Sequence, residues 1–326
     1  MSDGAIILVM GPPAGGKTTT VQGYVNLGYQ RLNRDEIGGT CAKQDSRLHI
    51  LLRELFQRGE RRFVLDNTYA NKASREAIIA LGVELGLPVH AKWLQTTEAE
   101  AQFLAALRQM RKYGRVIGAD DCGQVPYKSD PNCFPPMAQY AYWKRMEPPS
   151  TDEGFASVEA VPFKLDLGPE YANSAVLFDF DGTLRDTTTG DLYPKHPDEV
   201  VVLPRRAEKL QALQAAGVLL LGASNQSGIA RSPSHPFYVS EENANLCFRR
   251  TLALLGVTMD YEYAAEEAGV PKSFRRKPLP GMAVTFVERY KLCPSKCLMV
   301  GDLKSDRTFA ERAGFQFAWA KDYFGD

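Results

Sequence analysis

Short apolar runs alternate along this chain with longer segments in which apolar residues recur every three or four positions. In the first half the runs predict strands at about 5–10, 62–65 and 89–94. The segments between and after them have helical spacing, at about 17–27, 42–58, 72–85 and 98–112. Because strands that alternate with helices pair in parallel, the first half predicts a sheet with helices on both faces.

The second half repeats this alternation. Strands are predicted near 175–178, 218–222, 298–300 and 315–319, and helices near 204–215, 241–255 and 280–290. Between the halves, residues 165–173 interrupt the pattern and include the turn signal Gly168-Pro169. We therefore predict two doubly wound, parallel-sheet α/β domains at residues 1–165 and 174–326 of the 326-residue chain.

Composition and charge narrow the class of protein. The chain has 39 basic and 39 acidic side chains, so any contact with a polynucleotide is expected to be local rather than a broad cationic surface. The six cysteines include no CxxC pair of the zinc or redox type and are expected to be reduced thiols. The first apolar run is too short to span a membrane and follows no basic leader, which predicts a cytoplasmic protein without a membrane partner.

The turn after the first predicted strand carries candidate chemistry. Its sequence, GPPAGGKT at 11–18, matches the phosphate-binding pattern GxxxxGK followed by Ser or Thr, between a strand and a helix. Backbone amides of the turn from Gly11 to Gly16 would surround the β-phosphate, and Lys17 would neutralise the β- and γ-phosphate oxygens. Thr18 would offer its hydroxyl to Mg²⁺, and Thr19 is predicted to add to the nucleotide contact. ATP and Mg²⁺ are the expected cofactors.

Two polar segments are predicted to serve the acceptor. Asp35 follows a short apolar segment and would accept the proton of an attacking alcohol; a helix-capping role is the alternative. Asp66 and Asn67 end the buried run at 62–65, where doubly wound folds hold ligands, so they are predicted, with Arg34, to contact the acceptor. For Asp66 and Asn67 a simple turn is the alternative.

Basic residues cluster on and just beyond the helix predicted at 98–112. They suggest a lid that clamps the transferring phosphoryl group, with Arg108 as its catalytic member and Arg111 and Arg115 as substrate contacts. A solvated charged helix face is the alternative. The stretch that follows at 118–136 is rich in Asp, Gly, Pro and Ser and is the longest loop signal in the chain.

The first half resembles the kinase domain of the polynucleotide kinase 3′-phosphatase family over about 150 residues. The resemblance rests on the phosphate-binding turn, Asn33-Arg34-Asp35, Asp66-Asn67-Thr68, Ala73-Ser74-Arg75, the Arg108 region and Gly154-Phe155. It implies that Asp35 activates a 5′-hydroxyl and that Arg108 is the lid arginine. Gly38 departs from the family, because some members carry an arginine there that contacts an acceptor phosphate.

The second half carries a different kind of phosphate chemistry. Asp179 follows an apolar strand, so its carboxylate is predicted at the sheet edge as a nucleophile, and Asp181 would protonate the leaving oxygen. Carboxylates that face a phosphate need a cation between them. Asp302 follows another strand and, with Asp306, is predicted to join Asp179 and Asp181 in a Mg²⁺ site.

Neutral and basic groups are predicted to complete this second site. Ser224 ends a strand and Lys277 lies in an Arg-Arg-Lys-Pro segment, and both are assigned to the phosphoryl oxygens. Their neighbours Asn225 and Arg276 are predicted to contact the substrate. The acidic pairs have loop capping as an alternative, but the order of these elements along the chain favours a site.

The second half resembles the haloacid-dehalogenase phosphatase superfamily, and within it the branch shared by histidinol phosphatases, heptose bisphosphate phosphatases and polynucleotide 3′-phosphatases. Ser224-Asn225-Gln226 and Arg276-Lys277-Pro278 carry that likeness. The zinc loop of the metabolite members is missing, since tyrosines, Glu262 and the segment 273–275 stand where its Cys and His ligands would be. Only about 40 residues separate Asp181 from Ser224, so the cap over the site is predicted to be minimal.

The two halves together predict a bifunctional enzyme that phosphorylates 5′-hydroxyl ends with ATP and hydrolyses 3′-phosphate ends with Mg²⁺. DNA or RNA ends are the expected partners, with a ligase as the functional partner downstream. The rival interpretation is a metabolite kinase fused to a sugar or polyol phosphatase. A nucleotide-dependent regulatory module with an inactive phosphatase is a third class, which the complete set of catalytic residues disfavours.

Overall fold

The computed structural model describes residues 4–37 and 41–325, except for the side chains of Asp35, Ile37 and residues 41–45. The described chain forms two compact units. The first comprises residues up to 104 together with 137–165, and the second comprises 105–136 together with the chain from 166 onward. The predicted domain division at 165–174 stays a prediction, and residues 105–136 group with the second unit.

The first half of the chain alternates strands and helices. In order they are β1 (Ala5–Met10), α1 (Lys17–Asn26), β2 (Gln30–Leu32), α2 (Arg34–Ile37), α3 (Cys41–Gln57), β3 (Arg62–Asp66), α4 (Lys72–Leu85), β4 (Val89–Leu94), α5 (Glu98–Tyr113), α6 (Pro136–Arg145) and β5 (Ser157–Val161). Within the described part of the first unit the strands form one parallel sheet in the order β2-β3-β1-β4-β5. Strand β1 is central and buried along nearly its whole length, as expected for a strand covered on both faces.

The second half repeats the architecture. Its elements are β6 (Val176–Phe178), β7 (Arg185–Thr187), β8 (Val200–Val202), α7 (Arg206–Ala215), β9 (Leu220–Asn225), α8 (Glu241–Leu255), β10 (Asp260–Ala264), α9 (Gly281–Tyr290), β11 (Leu298–Gly301), α10 (Lys304–Ala313), β12 (Gln316–Trp319) and α11 (Ala320–Phe324). The main sheet of the described second unit is again parallel, in the order β10-β9-β6-β11-β12. The predicted fold class of two doubly wound parallel-sheet domains is therefore confirmed.

A short hairpin stands where a cap would be. Strands β7 and β8 pair antiparallel, and between β6 and β9 the described chain has only these strands, a short 3-10 helix (Pro197–Glu199) and α7 as regular elements. This agrees with the minimal cap that the sequence predicts. The carboxyl ends of β6, β9 and β11 consequently remain without a large domain over them in the described part of this unit.

Local sequence explains where several helices begin and end. The α4 helix starts at a capping box, in which the Asn71 side chain accepts the Ser74 amide, and it ends at Gly86 in the left-handed conformation. The α8 helix starts at Ser240, whose hydroxyl accepts the Asn243 amide, and it also ends at a left-handed glycine, Gly256. Of the helices in the described ranges, none is both long enough and apolar enough to cross a membrane.

Several elements differ from the sequence prediction. The strands β2, β5 and β10, the β7–β8 hairpin and the helices α6 and α10 are not among the predicted elements. Strands β2, β5 and β10 lie at sheet edges or next to solvent, where an apolar run is not required. The α10 helix buries Asp306, Phe309, Ala310 and Ala313, so it has only one large apolar residue to indicate a buried face in the sequence.

Candidate active sites

The phosphate-binding turn of the first unit lies between β1 and α1, at the carboxyl edge of the sheet. Gly16 precedes α1 with a φ of 86°, a left-handed conformation that favours glycine, and it directs the free amides of the first helical turn toward the loop. The Lys17 ammonium donates to the carbonyls of Gly11 (3.1 Å) and Pro12 (2.7 Å). Thr18 and Thr19 are exposed at the start of the helix.

Two residues that sequence reasoning missed brace this turn. Thr96, which is buried, donates its hydroxyl to the carbonyl of Gly15 at 2.8 Å. The Gln139 amide donates to the carbonyls of Pro13 (3.0 Å) and Ala101 (2.8 Å). Because these partners are far apart along the chain, no local pattern in the sequence identifies them.

The end of β3 lies beside the end of β1, since Val9 is paired with Asp66 in the sheet. Asp66 is buried and accepts hydrogen bonds from the Arg31 guanidinium (2.8 Å) and the Asn33 amide (3.2 Å). The Asp66 carboxylate is thus held by the segment that leads to α2. A simple turn, the alternative in the sequence analysis, would not require these contacts with Arg31 and Asn33.

Asn67 orders the start of α2. Its side-chain oxygen accepts the Arg34 amide at 3.1 Å, its NH₂ donates to the Tyr69 hydroxyl at 3.0 Å, and the Arg34 guanidinium lies 5.4 Å from the Tyr69 ring centre. Asp35 belongs to α2 by its backbone, but its side chain lies outside the described residues, as does Gly38. The proposed base therefore stays a prediction.

The basic residues on and just beyond α5 belong to the second unit and are paired there. Arg108 donates to the Asn132 side chain at 2.6 Å. Arg111 donates to the Tyr171 hydroxyl (2.9 Å) and to Glu288 (3.3 Å). Arg115 forms an ion pair with Asp121 at 2.9 Å and donates to the Tyr127 hydroxyl at 3.1 Å.

The residues predicted to form a lid are held by partners within the second unit. The sequence alternative was a solvated charged face, but the residues make defined contacts, including one that spans 177 positions between Arg111 and Glu288. For Arg111 the contacts indicate an anchoring role within the second unit. Substrate contact by Arg111 or Arg115 would require exchange of these partners.

The second candidate site lies at the carboxyl ends of β6, β9 and β11. Asp179 directly follows β6, and its carboxylate accepts the Lys277 ammonium at 2.7 Å. The same ammonium lies 2.6 Å from Asp306 and donates to the carbonyl of Ala223 at 2.7 Å. Lys277 and both carboxylates are almost fully buried, so this is an ion cluster in a medium of low dielectric.

Burial and charge perturb the protonation of this cluster. Burial is the main cause that raises the pKa of Asp179 to about 7; the nearby charges of Asp306 and Asp181 act in the same direction, and Lys277 acts against them. Burial would lower the pKa of Lys277, but the two carboxylates outweigh it and the pKa is raised, so the lysine stays an ammonium ion. Burial likewise raises the pKa of Asp302.

Three carboxylates of this site could hold a metal ion. Oxygens of Asp179, Asp302 and Asp306 all lie within 4.8 Å of one another, and no other such group occurs among the His, Cys, Asp and Glu side chains that the structure describes. Hard carboxylate oxygens are the ligands that Mg²⁺ prefers. Against the single Lys277 ammonium they carry an excess of negative charge, which a divalent cation would balance, so the donor set fits Mg²⁺.

Asp181, also predicted as a metal ligand, lies outside that group. One of its oxygens accepts the Arg185 guanidinium at 2.7 Å, and the other accepts the Gln226 amide at 2.8 Å. Gln226 also donates to the Ser224 hydroxyl at 2.9 Å, so it links Asp181 to Ser224. Arg185 and Gln226 are buried, and sequence reasoning assigned a role to neither.

The remaining predicted residues surround Lys277. The Asn225 side chain donates to the Lys277 carbonyl and accepts the Lys277 amide, both at 3.0 Å. Asn225 therefore positions the lysine. Arg276 donates to the Ser227 hydroxyl at 2.8 Å and the Glu266 carbonyl at 2.7 Å, and burial lowers its pKa.

The loop after Asp179 is shaped to approach Asp302. Gly182 has a φ of 78°, and a side chain there would collide with the Asp302 carboxylate, so only glycine fits. Thr183, another residue that sequence reasoning missed, donates its hydroxyl to Asp302 at 3.2 Å. The site thus joins a carboxylate able to attack phosphorus, a second carboxylate able to move a proton, and cationic and hydroxyl groups for phosphoryl oxygens.

Family models match both halves of the chain. Residues 6–115 match the family described as AAA domain, and residues 174–324 match the family described as Polynucleotide kinase 3 phosphatase. A relative, the D-glycero-beta-D-manno-heptose-1,7-bisphosphate 7-phosphatase of Mesorhizobium japonicum, is 34% identical over 158 residues, which are 45% of this chain and 69% of that protein.

Two further similarities concern proteins that carry two activities or act in a complex. The bifunctional polynucleotide phosphatase/kinase of Schizosaccharomyces pombe is 27% identical over 160 residues, 49% of this chain, and the match spans 34% of that protein's length. Among solved structures, a chain of the Pnkp1/Rnl/Hen1 RNA repair complex is 14% identical with a TM-score of 0.33, over 97% of this chain and 95% of that chain.

Proposed function

Since the chain belongs to the polynucleotide kinase 3′-phosphatase family, with a kinase domain of the AAA type before a phosphatase domain of the haloacid-dehalogenase type, we propose that it heals nucleic-acid ends. It phosphorylates 5′-hydroxyl ends with ATP and hydrolyses 3′-phosphate ends. The products, a 5′-phosphate and a 3′-hydroxyl, are the ends that a ligase joins.

The observation that carries the proposal is the presence of two different phosphate sites on one chain. One is a nucleotide-binding turn with Lys17, and the other is a carboxylate nucleophile, Asp179, beside Lys277. A kinase and a phosphatase that acted on the same group would only consume ATP. Acting on opposite ends of a break, they cooperate, which supports a substrate with two ends.

In the kinase reaction the turn at 11–18 holds the phosphates of ATP with its amides and with Lys17. Asp35 accepts the proton of the 5′-hydroxyl as its oxygen attacks the γ-phosphorus and the bond to the β-phosphate oxygen breaks. Asp66 and Asn67 hold the segment that carries Asp35 through their contacts with Arg31, Asn33 and Arg34.

In the phosphatase reaction a carboxylate oxygen of Asp179 attacks the phosphorus of a 3′-phosphate, and Asp181 gives its proton to the departing 3′-oxygen. Asp181 then takes a proton from a water molecule that attacks the aspartyl phosphate and releases inorganic phosphate. Ser224 and Lys277 bind the phosphoryl oxygens. A Mg²⁺ ion bound by Asp179, Asp302 and Asp306 would supply positive charge for those oxygens, as Mg²⁺ near Thr18 would for ATP.

The proposal is tested with purified protein, labelled ATP and short oligonucleotides that carry either a 5′-hydroxyl or a 3′-phosphate, each as DNA and as RNA. We expect phosphate transfer to the first and phosphate release from the second. EDTA should abolish both activities, and Mg²⁺ should restore both without added Zn²⁺. Absence of both activities on every oligonucleotide would overturn the proposal.

The rival function is that of a metabolite kinase joined to a sugar phosphatase, and the similarity to heptose bisphosphate phosphatases favours it. The same assay separates the two functions when heptose and hexose bisphosphates are added as substrates. Efficient release of phosphate from a sugar bisphosphate, with no turnover of oligonucleotides, would support the rival function.

A further inference from the structure

A cavity of about 370 Å³ lies beside the phosphatase site, within the second unit. It is lined by Gly182, Arg206, Asp302, Trp319, Ala320 and Lys321. Gly182 and Asp302 belong to the phosphatase site already described, whereas the other four residues have no role in it. The cavity therefore extends from the reaction centre toward a part of the surface that the proposed mechanism does not use.

The register of the sheet places Trp319 beside the phosphatase site. Trp319 is the last residue of β12 and is paired with Gly301 of β11, the residue directly before Asp302. Both therefore lie at the carboxyl edge of the parallel sheet, where doubly wound folds bind ligands. The Trp319 ring is partly exposed and meets the Phe317 ring nearly perpendicularly, with ring centres 4.8 Å apart, which fixes its orientation.

Two cationic residues border the cavity in different ways. The Arg206 guanidinium is buried, lies 4.2 Å from the Phe324 ring centre, and donates to the carbonyls of Thr183 (3.0 Å) and Pro204 (2.9 Å). It thereby holds the loop whose Thr183 hydroxyl contacts Asp302. Lys321 is exposed at the start of α11. Of the two, Lys321 is the one placed to meet an incoming anion.

We propose that this cavity binds the 3′-terminal nucleoside of the strand whose 3′-phosphate is hydrolysed, with the base stacked on Trp319 and the phosphate on the 5′ side of that nucleoside at Lys321. The inference rests on the proposed function and names how that function selects its substrate. Trp319 and Lys321 are specificity residues in it, and neither takes part in bond breaking.

Size and chemistry support a nucleoside as the occupant. The volume falls at the small end of the range of about 300–1,000 Å³ that is usual for ligand pockets. An aromatic wall binds every base through its flat face, so it serves an enzyme that must accept any sequence. A sugar bisphosphate would instead need several cationic groups for its second phosphate. Arg206 is poorly placed to supply one, because two of its nitrogens donate to main-chain carbonyls.

The test compares three phosphatase substrates of increasing size: glycerol 2-phosphate, which has no flat ring, a nucleoside 3′-monophosphate and a dinucleotide 3′-phosphate. Trp319→Leu should raise KM about tenfold for the two nucleotide substrates, because loss of a base stack has an effect of that order. It should leave the turnover of glycerol 2-phosphate unchanged. Trp319→Phe, which keeps a flat ring, should behave nearly like the unaltered protein on all three.

Lys321→Gln is an independent arm that does not disturb packing, because the side chain is exposed. It should raise KM about threefold for the dinucleotide, which has the inner phosphate, and leave the nucleoside monophosphate unchanged. Lys296→Gln is the matched control, because Lys296 is equally exposed but precedes β11 at the opposite edge of the sheet. Lys296→Gln should leave KM unchanged for all three substrates.

The outcomes separate the inference from the proposed function. Suppose that the unaltered protein hydrolyses the nucleotide substrates, but that Trp319→Leu and Lys321→Gln change KM for all three substrates equally or for none. The proposed subsite is then wrong, and the proposed function stands. If Trp319→Leu does not fold, Lys321→Gln still decides, because the inference requires a rise in KM for the dinucleotide alone. If the unaltered protein hydrolyses no nucleotide substrate, both are wrong.

Discussion

The two phosphate sites differ in how much of their charge is enclosed by the folded chain. In the phosphatase site Asp179, Lys277 and Asp306 are at most 5% exposed and contact one another directly. In the kinase site Thr18 and Thr19 are exposed, and the Lys17 ammonium is only half-buried against carbonyls of its own turn.

Because of this difference, we expect the proposed catalytic groups of the phosphatase to contribute to the stability of its fold as well. Removal of one member of a buried ion cluster leaves an uncompensated charge, which is costly. A charged group near solvent can be removed at little cost, because water replaces its partners. The two sites should therefore respond differently to equivalent substitutions.

The largest effect is expected from Asp179→Asn, because an amide cannot attack phosphorus. Phosphatase turnover should fall by about 10⁴-fold or more, as in other enzymes that lose their nucleophile. Kinase turnover, measured on a 5′-hydroxyl oligonucleotide with the same preparation, should stay within about twofold, since the sites are separate. Loss of both activities in a folded protein would contradict two independent sites.

The stabilities of the two sites are compared by substituting one lysine in each, Lys277 and Lys17. Lys277→Met leaves Asp179 and Asp306 without the ammonium between them and should lower the free energy of unfolding of the second unit by about 3 kcal/mol. Hydrogen exchange of the β6 and β11 amides without Mg²⁺ measures this. Lys17→Met, the matched change, should cost less than about 1 kcal/mol in the β1 amides. Equal losses of unfolding free energy would show that burial of charge does not distinguish the two sites.

Asp35→Asn tests the proposed kinase base. Transfer to a 5′-hydroxyl oligonucleotide should fall about 100-fold or more, as is typical when a general base is lost. Binding of ATP and release of 3′-phosphate should remain. Lys17→Ala should also abolish transfer, but with weaker ATP binding. A transfer rate above about a tenth of the unaltered rate would exclude Asp35 as the base.

Gln226→Leu tests a positioning residue that links Asp181 to Ser224. Phosphatase kcat should fall about tenfold with little change in KM, the usual size of effect for a group that orients a catalytic residue. Gln211→Leu is the control, because that amide donates to Leu255, a residue outside the site. An unchanged kcat would show that Asp181 is held sufficiently by Arg185.

The smallest effect is expected from Arg111→Gln. Because Arg111 is anchored to Tyr171 and Glu288 near the surface, its loss should change stability by less than about 1 kcal/mol and either activity by less than about twofold. Steady-state kinetics on both substrates measures this. A selective rise in KM for the 5′-hydroxyl oligonucleotide would instead support the substrate contact that the sequence predicts.

Much of the phosphatase site could be predicted from the sequence because its groups follow apolar strands. Asp179 follows β6, Asp302 follows β11 and Ser224 lies in β9, and the carboxyl ends of neighbouring parallel strands meet at one edge. Strand periodicity alone therefore brings these residues together. The same logic identified the turn after β1 and the Asp66-Asn67 pair at the end of β3.

Residues whose role depends on distant partners could not be predicted in this way. Gln226 reaches Asp181 from 45 positions away along the chain, so no local pattern joins the two residues. The charges of α5 give no sign in the sequence that Arg111 meets Glu288. Edge strands such as β5 and β10 were missed because they are half polar, as their position next to solvent permits.

One oligonucleotide tests the central claim most directly. A short strand that carries both a 5′-hydroxyl and a 3′-phosphate is incubated with the protein, ATP and Mg²⁺, and its ends are identified by mass spectrometry of terminal fragments. The proposed function predicts a product with a 5′-phosphate and a 3′-hydroxyl, a substrate for a ligase. An unchanged strand, in a preparation that efficiently dephosphorylates a sugar bisphosphate, would contradict it.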